Sequence, residues 1–459
     1  MKKAVSLLLA LVMTLALLTA CGGNDSGSGT GGGSTDSSLP SYDSLKVGED
    51  YTDITAELRV ISHRTDLIDS TFVKYVEEFN KLYPNVKINY EGITNYADDM
   101  TTRISSNNWG DICMIPTSIQ LPDLSLYFHP LCDLSAIQAD YNFASNRAYD
   151  GIVYGIPSTG NAQGIVYNKK VAEAAGYTTS NMPKTPDAFI QFLQDIKDKT
   201  DAIPLYTNFA AGWTMGAWDA YIGGGATADP DWMNITMPQT KDPFADRGDG
   251  TGPYAVYKIL YDAVSMGLTE DSPTATDWEG CKPMMNDGRI GTLVLGSWAI
   301  IQMQEPNMDN AADIGYMPFP ISVGGTQYAS AGADYCYGVN KSSSDDNKIA
   351  SMLYIKWLTE SSNFAYDQGG VPVLKSQPYP DTLAAFDGIQ LLEDTPAPTE
   401  LATLQSDVNR ESEISLNADN THVQRIVEAV ITGSETLDDI IADWNTRWNN
   451  AVDRYAPKS

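Results

Sequence analysis

Apolar positions along this chain alternate between two periods, and the changes of period predict a fold. Leu58–Ser62 reads as a strand, and Val86–Tyr90 alternates as one. Between them Phe72, Val76, Phe79 and Tyr83 recur at helical spacing over Ser70–Tyr83, and Pro84 ends that helix. Asn95–Ser106 then reads as a helix and Asp111–Ile115 as a strand. Two successive strand–helix–strand units call for parallel pairing in a doubly wound α/β sheet.

A second series follows. Gly151–Pro157 and Gly164–Tyr167 are expected as short strands around a loop, Ser158–Gln163. Lys169–Ala175 is a helix closed by Gly176. Thr185 caps a helix that begins at Pro186 and runs to Lys199, with Phe189, Leu193 and Ile196 on one face. Ile203–Tyr206 is a strand, and Tyr254–Met266 a helix ended by Gly267. The stretch Met284–Trp298 (MMNDGRIGTLVLGSW) compresses several signals. Gly288 suits the left-handed position after a helix, and Ile290–Leu295 suits a strand covered on both faces. Trp298 falls just past that strand's C-terminal end, where open α/β sheets keep their ligand crevices. Asp313–Phe319 and Tyr335–Val339 read as later strands and Asp345–Thr359 as a helix. From Thr421 the pattern is two amphipathic helices separated by Gly433, and no repeat of solenoid length occurs.

Length and charge sharpen this picture. A chain of 459 residues exceeds what one core supports, so at least two lobes are expected. The net charge of −30 repels nucleic acid and anionic headgroups, which removes both as direct partners. Lys2-Lys3 followed by the apolar run Ala4–Ala20 makes an export signal, expected over residues 1–20. As a membrane span this run sits at the minimum length, so a lasting single-pass anchor is the weaker reading. Leu18-Thr19-Ala20-Cys21 resembles the bacterial lipobox, which implies cleavage before Cys21 and lipidation of it. Gly22–Ser38 carries no apolar side chain and reads as a flexible tether. With Cys21 it is expected over residues 21–50, and extended to Asp53 its r.m.s. reach is about 30 Å.

The chemistry-bearing residues are few. Cys113, Cys132, Cys281 and Cys336 form no C-x-x-C pair, so zinc is not expected. Free, half-buried thiols are the default, and a Cys113–Cys132 bridge stays open. Asp246–Gly252 lacks EF-hand spacing, leaving no metal site, and no cofactor is called for. With three histidines and no G-x-S-x-G, H-E-x-x-H or Walker loop, the pattern argues against an enzyme.

Several stretches in order carry a family resemblance. They are Gly110-Asp111-Ile112, Tyr149–Pro157, Val166-Tyr167-Asn168-Lys169, Ala174-Ala175-Gly176 and Pro183-Lys184-Thr185-Pro186. Trp218 with Gly223-Gly224-Gly225, Asn286–Trp298 and Gly369-Gly370-Val371-Pro372 complete the set. From about Leu58 to Ser459 the chain resembles the extracellular solute-binding proteins of bacterial ABC importers. Within them it is similar to the carbohydrate group that includes maltose-binding protein. It departs from the pattern at Ser62-His63-Arg64, where the family often has an aromatic, and at Ile290-Gly291. The resemblance implies two doubly wound α/β lobes joined by a multi-segment hinge, periplasmic-binding-protein-like (type II). One lobe is expected over 51–160 with 316–338, the other over 161–315 with 339–459. It further implies capture of a sugar or oligosaccharide between the lobes and delivery to ABC permease subunits. The receptor would be a monomer, held outside the cytoplasmic membrane by lipid alone.

A sugar site needs flat apolar surface for C–H faces and polar side chains for hydroxyls. In the family's motif Trp298 is a stacking platform; the competing reading is a core tryptophan. Trp213 is carried over from the family's aromatic contacts at its loop. His63, Arg64 and Asp66 follow the first strand at its C-terminal mouth, although Arg64 and Asp66 also make an ordinary surface pair. Asn161 and Gln163 lie in the expected hinge loop, Asp334 and Tyr335 precede a crossing, and Thr117 follows a strand. Three other functions compete: the same fold holding a peptide or polyamine, a surface carbohydrate-active enzyme, and a glycan adhesin.

Overall fold

A computed structural model describes residues 39–94, 96–417 and 420–457. The expected signal segment, Cys21 and the tether up to residue 38 lie outside the described residues. Residues 39–50, read as the end of the tether, are instead fixed to the body. Tyr42 is buried, its amide donates to the Leu131 carbonyl at 2.9 Å, and the Lys356 ammonium lies over its ring. An aromatic with a buried ring and a cation above it outweighs the flexible composition around it.

Strands that matter here are β1 Ala56–Ser62, β2 Val86–Gly92, β3 Ile112–Met114, β4 Gly155–Pro157, β5 Gly160–Asn168, β6 Ile203–Leu205 and β7 Ile290–Gly296. They continue with β8 Ile314–Pro318, β9 Ser322–Val323, β10 Thr326–Ala333, β11 Cys336–Val339 and β12 Gln390–Leu392. The first sheet has the order β2-β1-β3-β11-β4, parallel from β2 to β3 and antiparallel beyond. The second has the order β9-β10-β5-β7-β6, with β8 also on β5 and β12 on β10.

Each sheet has its own core. The first is covered by α1 Thr71–Phe79, α2 Tyr96–Ser105 and a helix from much later in the chain, Asp345–Glu360. Phe72 and Phe79 from α1 and Met100 and Ile104 from α2 are buried against it. On the second sheet, α3 Pro186–Lys199 buries Phe189, Phe192, Leu193 and Ile196, beside α4 Gly252–Ser265. Thr185 accepts from the Ala188 amide at 3.4 Å, and Pro186 stands at the first turn, so local signals agree with the burial pattern. The other face of β7 packs against α5 Trp278–Asn286 and α6 Ala299–Gln304. The fold is therefore the expected pair of α/β lobes, each built on one of these sheets, with a small third sheet in which Ile152–Val153 pairs with Cys132–Asp133 and Ala148–Tyr149.

The lobe boundaries differ from the expected ones. Strands β8 and β10 pair with β5, so 314–333 joins the second sheet rather than the first lobe. The helix Asp345–Glu360, now α7, packs on the first sheet, and so do Phe364 and Val373, all expected in the second lobe. Among the described residues the chain passes between lobes near 157–160, near 333–336, and between Leu374 and Leu383. Gly370-Val371 docks on the first of these, with Gly160 and Val371 exchanging backbone bonds of 2.8 and 2.7 Å.

The expected loop Ser158–Gln163 is largely strand. β5 starts at Gly160, and Gly160, Asn161 and Ala162 pair with Ala333, Gly332 and Ala331. Cross-strand partners far away in sequence override the turn character of Gly160 and Asn161. The four remaining cysteines are free and fully buried, so no Cys113–Cys132 bridge exists. Among the described residues no helix is long and apolar enough to cross a membrane. None of their His, Cys, Asp and Glu side chains gathers into a group suited to a metal ion.

Candidate functional site

A cavity of about 240 Å³ lies between the lobes, beside the crossings. The first lobe contributes His63, Arg64, Asp66 and Gln368; the second contributes Trp298, Ile301, Gln302 and Glu305. Thr159, Asn161, Asp334, Tyr335 and Gly370 come from the crossings and their flanks. The site thus sits at the C-terminal mouths of β1 and β7, where such sheets hold ligands.

Arg64 is held as a fork. Its Nε donates to Asp66 Oδ1 at 2.9 Å, and its Nη2 donates to Asp66 Oδ2 at 2.6 Å and Gln368 Oε1 at 2.7 Å. Partial burial pushes the Asp66 carboxyl up, but the Arg64 bond and charge outweigh it and hold the group below the usual range. Next to it the His63 ring stacks obliquely on Tyr335, with centroids 4.6 Å apart, and meets Tyr96 edge-on. Burial depresses the His63 pKa, and the Arg64 charge adds to that against the opposing pull of Asp334 and Asp66. Its Nδ1 is buried without a partner, and its Nε2 lies 3.7 Å from Asp334 Oδ2.

A polar chain continues into the second lobe. Asn161 Nδ2 donates to Asp334 Oδ1 at 3.3 Å, Ser297 Oγ donates to Asn161 Oδ1 at 3.5 Å, and the Ala162 amide donates to Ser297 Oγ at 3.1 Å. Trp298 follows Ser297 directly. Any side chain at Gly296 would press on the indole edge, so glycine is what allows the ring to fold back there. Trp298 is partly buried and lines the cavity, so it is not enclosed in the core. Trp213 lies 5.7 Å from it and 4.9 Å from Trp278, a trio of indoles along the wall of the second lobe.

Of the residues singled out in the sequence, His63, Arg64, Asp66, Asn161, Trp298, Asp334 and Tyr335 meet in this cavity. Trp213 is 45% exposed and touches the site through Trp298 rather than lining it. Gln163 stands behind Gly296 on β5, and Thr117 is exposed after β3; neither lines the cavity.

Sequence reasoning missed Ile301, Gln302 and Glu305. Their signal was present: from Trp298 they recur three, four and seven residues on, one face of a helix. Gln368 and Gly370 carried no such local sign.

With this geometry in place the chain can be placed among known proteins. The family described as "Bacterial extracellular solute-binding protein" matches residues 65–363, and the chain belongs to it. Members of this family bind solutes and are not enzymes, which removes the carbohydrate-active enzyme as a reading. Among individual proteins, the chain is 44% identical to the structure described as BlMnBP1, binding protein of an ABC transporter from Bifidobacterium animalis subsp. lactis ATCC27673, in complex with mannobiose. That match covers 90% of this chain and 99% of the other, with a TM-score of 0.84. BlMnBP2 of the same organism, described as manno-oligosaccharide specific and solved with mannotriose, is 41% identical over the same shares, also with a TM-score of 0.84. The "Multiple sugar-binding protein" of Streptococcus mutans serotype c is 23% identical over 67% of this chain and 72% of its own length. The chain is thus a sugar- or oligosaccharide-binding solute-binding protein of the ABC-transporter kind.

Proposed function

We propose that this protein captures a short manno-oligosaccharide between its lobes and passes it to an ABC permease. The observation that carries this reading is the 44% identity, across nearly the whole chain, to a binding protein solved with mannobiose. The cavity supports it: an indole for a C–H face beside Asn161, Asp334, His63 and the Arg64–Asp66 fork for hydroxyls. Hydroxyls left unpaired in a closed site cost about 1–3 kcal/mol each, so these groups supply the selectivity. Closure of the lobes about the crossings brings the two walls onto the sugar.

Capture for transport needs a ligand that leaves again. A micromolar constant, about −8.2 kcal/mol, meets both needs. The anchor is the lipid on Cys21, which holds a monomeric receptor at the outer face of the cytoplasmic membrane. Two or more acyl chains are enough for stable attachment. Replacing Cys21 by serine is expected to abolish incorporation of labelled fatty acid and release the protein into the medium.

A melting screen tests the capture reading. At about 100 times its dissociation constant a ligand adds about 2.7 kcal/mol of stability, readable as a shift in Tm. Mannobiose and mannotriose are expected to shift it; Trp298→Ala is expected to weaken mannobiose roughly tenfold. A shift with peptides or polyamines and none with any carbohydrate refutes the assignment.

A further inference from the structure

The charges facing the cavity are unequal. Among the described residues the lining holds one guanidinium, Arg64, against three carboxylates, Asp66, Asp334 and Glu305. Arg64 is already engaged, with Nε and Nη2 committed to Asp66 and Nη2 also to Gln368. Burial holds His63 toward its neutral form, so it adds little positive charge near pH 7. Asp334 has Asn161 as its hydrogen-bond donor, and an amide does not cancel a charge. Glu305, exposed just past α6, carries the negative field to the cavity's outer edge. The chain as a whole, at −30, reinforces that sign rather than opposing it.

We infer that the cavity is a charge filter: it admits neutral or amine-bearing sugar chains and rejects uronic acids, with Glu305 as its outer charge. This rests on the capture reading above and names what that capture excludes. A uronic acid differs from its hexose by a carboxylate in place of the hydroxymethyl group, with almost no change of shape. Rejection by charge therefore has a signature that rejection by shape lacks. It fades with salt, because the screening length falls from about 30 Å at 0.01 M to about 3 Å at 1 M. It also fades when Glu305 loses its charge at constant size.

The test is calorimetric titration of the wild-type protein and Glu305→Gln with mannobiose, mannobiose oxidised to the uronic acid at both C6 positions, and the corresponding 2-amino disaccharide. At low salt the wild type is expected to prefer mannobiose over the diuronic acid by at least about tenfold. That ratio is expected to shrink severalfold in high salt and in Glu305→Gln, while the amine binds within a few-fold of mannobiose. Equal affinity for the neutral and acidic disaccharides overturns the filter and leaves the capture reading standing. So does a preference that neither salt nor Glu305→Gln alters, since that is exclusion by shape. Absence of binding by any neutral oligosaccharide overturns the capture reading and the filter with it.

Discussion

Asp394 shows how a single buried carboxyl costs stability at neutral pH. Burial raises its pKa from 3.8 to about 6, and Oδ1 has no hydrogen-bond partner. Between those two values the folded chain holds a proton that the unfolded chain has released. Stability therefore falls as pH rises from 3.8 to about 6, and the penalty is full above that. Asp394→Asn is expected to raise Tm at pH 7 by about 2 °C, and to change nothing below about pH 4. His63 works in the opposite direction. Its folded pKa lies below 6.5, so as pH falls through 6.5 the unfolded chain takes up the proton first and stability declines. Thermal melts of His63→Asn are expected to lose that acid-side decline. If wild type and variant fall in parallel, His63 is not the group responsible.

Among the elements, the crossings are where side-chain volume is least tolerated. A methyl at Gly370 would collide with Thr159 Oγ1 and the Gly160 carbonyl oxygen. Overpacking of this kind costs about 1–3 kcal/mol, so Gly370→Ala is expected to lower the unfolding free energy by that much, read as a lower urea midpoint at unchanged slope. The crossings were also where the sequence was hardest to read. Elements with a clear period, such as α3 with its Thr185 cap or β7 with its apolar run, were legible because local and tertiary signals coincide. Strand β10, Thr326–Ala333, escaped because its small and polar residues form a strand through β5, β9 and β12 rather than through any alternation of their own. The site divided the same way. His63, Arg64, Asp66 and Trp298 follow strands whose ends could be located, and so were found. Gln368 reaches Arg64 across 304 positions of chain, a contact no window of sequence contains.

At the scale of the molecule, two cores joined by narrow crossings favour motion between the lobes over motion within them. Solution scattering is expected to show a smaller radius of gyration with mannotriose than without, and an unchanged radius with a sugar that does not shift Tm. The thiols report on the cores themselves: burial pushes Cys132, Cys281 and Cys336 up to about 12 and Cys113 upward as well. A thiol reagent is expected to leave all four unmodified until denaturant opens the lobes.

The three passages between lobes found among the described residues also decide how the protein survives damage. A protease engineered to cut once beside the exposed Tyr379 severs only the last passage, leaving the other two peptide threads whole. Such a nicked protein should migrate as one particle on a native gel and come apart into two fragments in detergent. On that outcome, backbone continuity at Tyr379 is dispensable for keeping the halves together.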